Sequence, residues 1–280
     1  MAPVLLLGAC GLADAPVLDP KGPVALAERN LMFETLAIMM IVAIPVFFMA
    51  FFFAWRYRAS NRKARYDPVW ASSSAIEVVI WTVPAVMVVV LGGYVWVNAH
   101  KLDPFKALDP SVEPLVVEVV AQNWKWLFLY PGQGVASVNE LVFPAGVPLS
   151  LKITSDTVMN AFYVPALGSQ IYAMAGMETH LNLLADAPGE FVGRNSQYSG
   201  AGFSQQHFAV VAATQEEFDA WVEKVKTSGG SLDAAAYAAL LEPSTAHPVT
   251  HYASYESGLF DQIIMRYMSP EGLDHSAASN

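Results

Sequence analysis

Thiolate, the ligand on which soft-metal chemistry depends, is almost absent from this 280-residue sequence, and that restricts the chemistry. Cysteine occurs once, at Cys10. A dinuclear copper centre needs two bridging thiolates, because soft sulfur ligands hold copper against harder competitors, and a blue-copper site needs one thiolate of its own. Composition excludes the first, and the second falls because the only thiol stands near the N-terminus. Met174 and Met177 form a soft Met-x-x-Met pair, but with no cysteine nearby they read as packing residues. Glu77 is a different kind of candidate. It stands at the edge of an uncharged run, Ile76-Glu77-Val78-Val79-Ile80-Trp81-Thr82-Val83-Pro84, where an ionisable group marks a proton or ion path or a partner contact unless it snorkels to water.

The elements around these residues are those of a membrane protein with a large soluble part. Apolar residues make up 54% of the sequence and charged ones only 14%, and the apolar excess is concentrated in two blocks. Thr35–Trp55 and Val78–Val97 carry no charge, and each has the ~20 residues needed to cross a bilayer core as a helix. Pro45 and Pro84 lie inside them, which membrane helices tolerate when neighbours re-satisfy the freed carbonyls. Between the blocks, residues 56–65 hold five basic residues and no acid. Short loops rich in Lys and Arg stay in the cytoplasm, so both chain ends are expected on the periplasmic side. Residues 101–280 carry 19 acids against 8 Lys or Arg, a net charge of −11. No basic patch of the nucleic-acid-binding kind is present.

At the start, Leu7-Gly8-Ala9-Cys10 fits a lipobox, in which small residues admit a signal peptidase and the cysteine takes a lipid. The preceding apolar stretch is short and lacks a basic n-region. Lipidation of Cys10 is the expectation, because an otherwise cysteine-free chain keeps its one thiol at the motif position. The divisions that follow are a lipobox segment 1–10, a periplasmic segment 11–34 and a first span 35–55. A cytoplasmic loop 56–75, a second span 76–97 and a linker 98–112 come next.

From Glu113 the pattern changes to short extended runs separated by turns. Leu115–Ala121, Leu149–Thr154 and Phe208–Ala212 are rich in β-branched and apolar residues, and Ala121–Phe128 is read as extending the first of them. Pro131-Gly132-Gln133-Gly134, Pro144-Ala145-Gly146 and Ala187-Pro188-Gly189 supply the turns. Several short strands at such spacing predict a β-sandwich or barrel over 113–213. In Trp124–Tyr130, four aromatic residues alternate at period two and are expected on one strand face. Thr214-Gln215-Glu216-Glu217 is a capping box opening a helix, with Phe218, Trp221, Val222 and Val225 at helical spacing. Residues 214–268 therefore read as a helical segment, with further helices around Leu232–Leu241 and Leu259–Met268, and 269–280 as a polar, disordered tail.

Residues Gln197–Ala209 resemble the copper-binding loop of haem-copper oxidase subunit II, Cys-x-Glu-x-Cys-x-x-x-His-x-x-Met with one further residue between the Glu and the second Cys. Matched through Phe208, the ligand positions hold Tyr198, Gly200, Gly202, Gln206 and Ala209, and an upstream turn, Asn160–Pro165, puts Asn160 at the position of the remaining His. All six ligands are replaced. His207 is one residue out of register, which in extended chain turns it to the opposite face. The resemblance extends over Leu18–Gly22, both spans, the Trp-Lys-Trp run, Gly168–Met177 and the C-terminal helices, and is strongest to subunit II of cytochrome bo-type ubiquinol oxidases. It implies a membrane protein with two N-terminal transmembrane helices, a periplasmic cupredoxin-like Greek-key β-sandwich and C-terminal helices. It also implies no cofactor in this chain, with haems, copper and the ubiquinol site in a partner subunit I. Glu77 matches an acid at the mouth of a proton pathway into that subunit. Two rivals remain: a cytochrome c oxidase subunit II, and a membrane-tethered cupredoxin acting as a copper chaperone. Both require clustered Cys, His or Met ligands.

Overall fold

The computed structural model describes residues 15–64 and 67–268; Cys10 and the C-terminal tail lie outside the described residues. The chain forms two units, one of residues 29–103 and a larger one made of the chain up to Glu28 and from Pro104 onward.

Two long helices dominate the smaller unit. Helix α1 (Pro23–Arg56) begins in the larger unit and runs through the first apolar block, and α2 (Ser74–Lys101) carries the second. Among the residues of their most apolar windows none is buried. Phe47, Phe51 and Trp81 are at least 66% exposed, the opposite of a core helix in a water-soluble protein. Such surfaces are stable only against lipid or another apolar partner. The last carbonyls of α1 are met by the basic loop: Arg58 Nη1 donates to Trp55 O at 2.9 Å and Asn61 Nδ2 to Arg56 O at 2.6 Å.

The larger unit is a cupredoxin-like β-sandwich. Its strands are β1 (Leu115–Gln122), β2 (Lys125–Tyr130), β3 (Val135–Val138), β4 (Glu140–Pro144), β5 (Leu149–Ser155), β6 (Asn160–Tyr163), β7 (Ile171–Ala173), β8 (Thr179–Leu183), β9 (Gly189–Asn195), β10 (His207–Ala213), β11 (Gly230–Leu232) and β12 (Thr250–Tyr255). One sheet runs β11-β12-β3-β2-β1-β5-β8 and the other β4-β10-β9-β6-β7. Inward side chains of both sheets, including Val117, Val119, Trp126, Phe128, Leu151, Phe162 and Phe208, form the core. Aromatic rings knit it together, with Phe162 and Phe208 5.0 Å apart and Trp126 5.3 Å from Phe162.

Three sequence expectations are corrected here. Ala121–Phe128 does not continue the first strand: the chain reverses at Asn123 and Trp124, and Gln122 pairs with Lys125 across the hairpin. Trp124 consequently leaves the aromatic row, with φ at +62°, and only Trp126, Phe128 and Tyr130 share the inward face. The segment after the sandwich is not purely helical. Helices α3 (Gln215–Ser228), α4 (Ala234–Leu241) and α5 (Leu259–Met268) are joined by β11 and β12, and β12 pairs with β3 to extend the larger sheet. α4 and α5 then cover that sheet's outer face, where Val120, Leu127, Leu129, Ala136 and Val138 meet Tyr237, Leu240, Phe260 and Ile263.

The chain entering and leaving the membrane unit is fastened to this domain. Lys21 N donates to Ala166 O at 2.8 Å, and Asp186 N to Lys21 O at 2.9 Å. Gly22 lies so close that a Cβ would stand 2.0 Å from Leu184 O, so no other residue fits. Edge strand β8 is covered from the other side by Pro104, whose carbonyl accepts from both the backbone and the side-chain amide of Asn182.

Candidate functional site

The residues matching metal-ligand positions do not converge as a set. Asn160 opens β6 and is fully buried, and Gln206 immediately precedes β10 at 1% exposure. Tyr198 points away, 72% exposed, with its ring 5.7 Å from Phe203. Ala209 follows the strand alternation outward together with His207, both exposed, while Phe208 and Val210 face the core. Gly200 has φ +105°. At Gly202 a Cβ would stand 2.3 Å from the ring of Trp124, so a side chain there requires the indole to move. The Trp124 ring is fixed by its N–H, which donates to Ser199 O at 3.0 Å.

What Asn160 and Gln206 form is a neutral, buried hydrogen-bond cluster centred on Asn195, a residue that sequence reasoning missed. Asn195 Nδ2 donates to Asn160 Oδ1 at 2.7 Å, to Gln206 Oε1 at 2.9 Å and to Ser199 Oγ at 3.1 Å. Its Oδ1 accepts from Ala161 N and Gln197 N. Gln206 Nε2 donates to Asn160 Oδ1 at 3.0 Å, Ser199 Oγ to Gln206 Oε1 at 2.8 Å, and Asn160 Nδ2 to Val158 O at 2.8 Å. Each amide both donates and accepts, which is the condition for burying such groups without penalty. Nothing in the sequence singles out Asn195 except that a polar residue ends the β9 run.

This donor set does not suit copper. Carboxamide oxygens and a hydroxyl are hard ligands, their lone pairs are engaged with N–H groups, and no thiolate or imidazole lies among them. Among the described residues no group of three or more His, Cys, Asp or Glu side chains is placed to hold a metal ion. Met174 is half-buried, its carbonyl accepting from Thr154 Oγ1 at 3.2 Å. Met177, expected to pack, is 52% exposed.

Charged groups border the cluster on the other side of the sheet. Lys125 is buried at 1% exposure, and burial pushes its ammonium below the usual lysine range, with Glu242 opposing. Asp156 is buried as well. It accepts from the Tyr237 hydroxyl and from Arg266 Nη1 at 3.1 and 3.2 Å. Glu77 lies elsewhere, exposed in the first turn of α2, where a carboxylate is favoured by the helix dipole.

Two family descriptions match the chain: "Cytochrome C oxidase subunit II, periplasmic domain" over residues 131–213 and "COX Aromatic Rich Motif" over 226–271. The chain is 46% identical over 277 residues to cytochrome bo(3) ubiquinol oxidase subunit 2 of Pseudomonas putida, covering 99% of this chain and 86% of that protein. It is 46% identical over 278 residues to ubiquinol oxidase subunit 2 of Acetobacter aceti, covering 99% and 89%. Among solved structures, the periplasmic domain of subunit II of the cytochrome oxidase of Bradyrhizobium japonicum matches 40% of this chain and 94% of its own, at 27% identity and a TM-score of 0.39.

Proposed function

Because the chain belongs to the ubiquinol oxidase subunit 2 family, we propose that it works in a proton-translocating terminal oxidase where ubiquinol passes electrons directly to haem in subunit I. Oxygen is reduced to water there, and the electrons bypass this chain. The observation that carries the bypass is the amide cluster: Asn160, Asn195, Ser199 and Gln206 fill one another's hydrogen-bonding capacity and offer no redox centre. On this reading the haems, the copper and the ubiquinol site belong to subunit I. This chain supplies membrane anchoring and a scaffold, and Glu77 supplies a proton-entry carboxylate.

The basic loop between the helices supports a placement in the bacterial inner membrane with that loop in the cytoplasm and the sandwich in the periplasm. Cys10 adds a lipid anchor. Oxygen uptake by the purified complex tests the central reading. Ubiquinol is expected to support turnover and reduced cytochrome c to support none, with one copper per complex. Cytochrome c oxidation, or a second copper, would overturn it.

A further inference from the structure

Three consecutive residues at the tip of the β1–β2 hairpin grip two different parts of the domain. Asn123 Nδ2 donates to Leu241 O, at the end of α4, at 3.5 Å, and Asn123 Oδ1 accepts from Thr157 Oγ1 at 2.6 Å. Lys125 Nζ donates to Glu242 O at 2.8 Å and to Ser244 Oγ at 2.7 Å. Trp124, between them, holds the opposite side: its N–H reaches Ser199 O, and its ring lies on Gly200 and Gly202. It does so at φ +62°, a conformation that a bulky side chain keeps only when surrounding contacts over-determine it.

We propose that this hairpin tip couples the C-terminal arm, residues 230–268, to the loop 197–206, so that undocking either one loosens the other. The physical reason lies in the buried ammonium. If the segment after α4 lifts, Lys125 loses both acceptors and must reach water, because a buried charge without partners is strongly disfavoured. Moving Lys125 shifts the adjoining peptide plane and releases Trp124 from its strained conformation, which uncovers Gly200 and Gly202. A second connection runs in parallel. The arm is tied to the end of β5 through Asp156, which Tyr237 and Arg266 hold, and Asp156 N donates to Ala121 O. From the loop side, Gln206 Nε2 reaches the neighbouring Gln122 O at 3.4 Å. Coupling of this kind is reciprocal, so it can be read from both ends.

Hydrogen–deuterium exchange on the assembled oxidase tests it. Ser244→Ala takes one acceptor from the Lys125 ammonium and keeps its charge, and it is expected to speed exchange of amides in 241–247 and also in 197–206, each on the order of tenfold. Gln206→Leu is expected to speed exchange in 241–247 as well as in its own loop. The turn at 184–189 serves as a reference that stays unchanged. Faster exchange of 241–247 alone in Ser244→Ala would overturn the coupling, as would a uniform rise that includes 184–189. Should Ser244→Ala fail to assemble, Gln206→Leu is read from the other end: acceleration in 241–247 supports the coupling, and an unchanged 241–247 refutes it.

Discussion

Asn195 is the residue on which the loop 197–206 depends. Its carboxamide joins the start of β6, the end of β9 and the residue before β10. Asn195→Leu keeps the branched skeleton but strands the Ala161 and Gln197 N–H groups and leaves the Asn160 and Gln206 oxygens with one donor fewer each. A buried group left without a partner costs about 1–3 kcal/mol, so the variant should lose at least about 2 kcal/mol of domain stability in denaturant melts. A loss well below that would mean the cluster repacks without its centre. Asn160 and Gln206 were identifiable from the sequence because they stand at positions of a recognisable pattern. Asn195 was not, since its partners lie 35 and 11 residues away and only strand pairing brings them together. Tyr198 shows the converse: it occupies a pattern position, yet its side chain points to solvent.

At the scale of elements, the segment following α4 is pinned by Lys125 and by Asn139, whose Nδ2 donates to His247 O at 2.8 Å. Burial, and then the Lys125 ammonium, hold the His247 imidazole below its ordinary value. The folded chain therefore binds this proton less readily than the unfolded one. As pH falls below about 6.5, the unfolded state takes up protons that the folded state refuses, and stability drops through that window. His247→Gln should flatten the fall of melting temperature between about pH 7 and 5; an unchanged slope would show that His247 does not contribute. Helix α3 was readable in advance because its capping box is local, Thr214 and Glu217 bonding reciprocally. The β1–β2 reversal was hidden, because nothing in Gln122-Asn123-Trp124-Lys125 carries the glycine that tight hairpins usually use. The left-handed conformation of Trp124 is sustained instead by contacts to residues about 75 positions away.

Across the whole molecule, the division is between an apolar pair of helices and a cupredoxin-like sandwich. The proposed role of Glu77 belongs to this scale, because a proton path into a partner subunit would need that subunit's half. In the assembled complex, Glu77→Gln is expected to slow turnover and reduction of the oxygen-binding site while leaving assembly intact; unchanged rates would remove it from the path. The amino-acid sequence by itself determined that it carries one thiol, where a thiolate-bridged copper pair needs two, and that two stretches are apolar enough for a bilayer. Ligand chemistry and hydrophobicity are additive properties of residue types, so no fold is needed to read them. Only the tertiary structure decided which polar groups meet around Asn160 and Gln206 and how the C-terminal arm completes the larger sheet. Those outcomes rest on the register of strands far apart in the chain, where one residue of slip would exchange the buried and exposed faces.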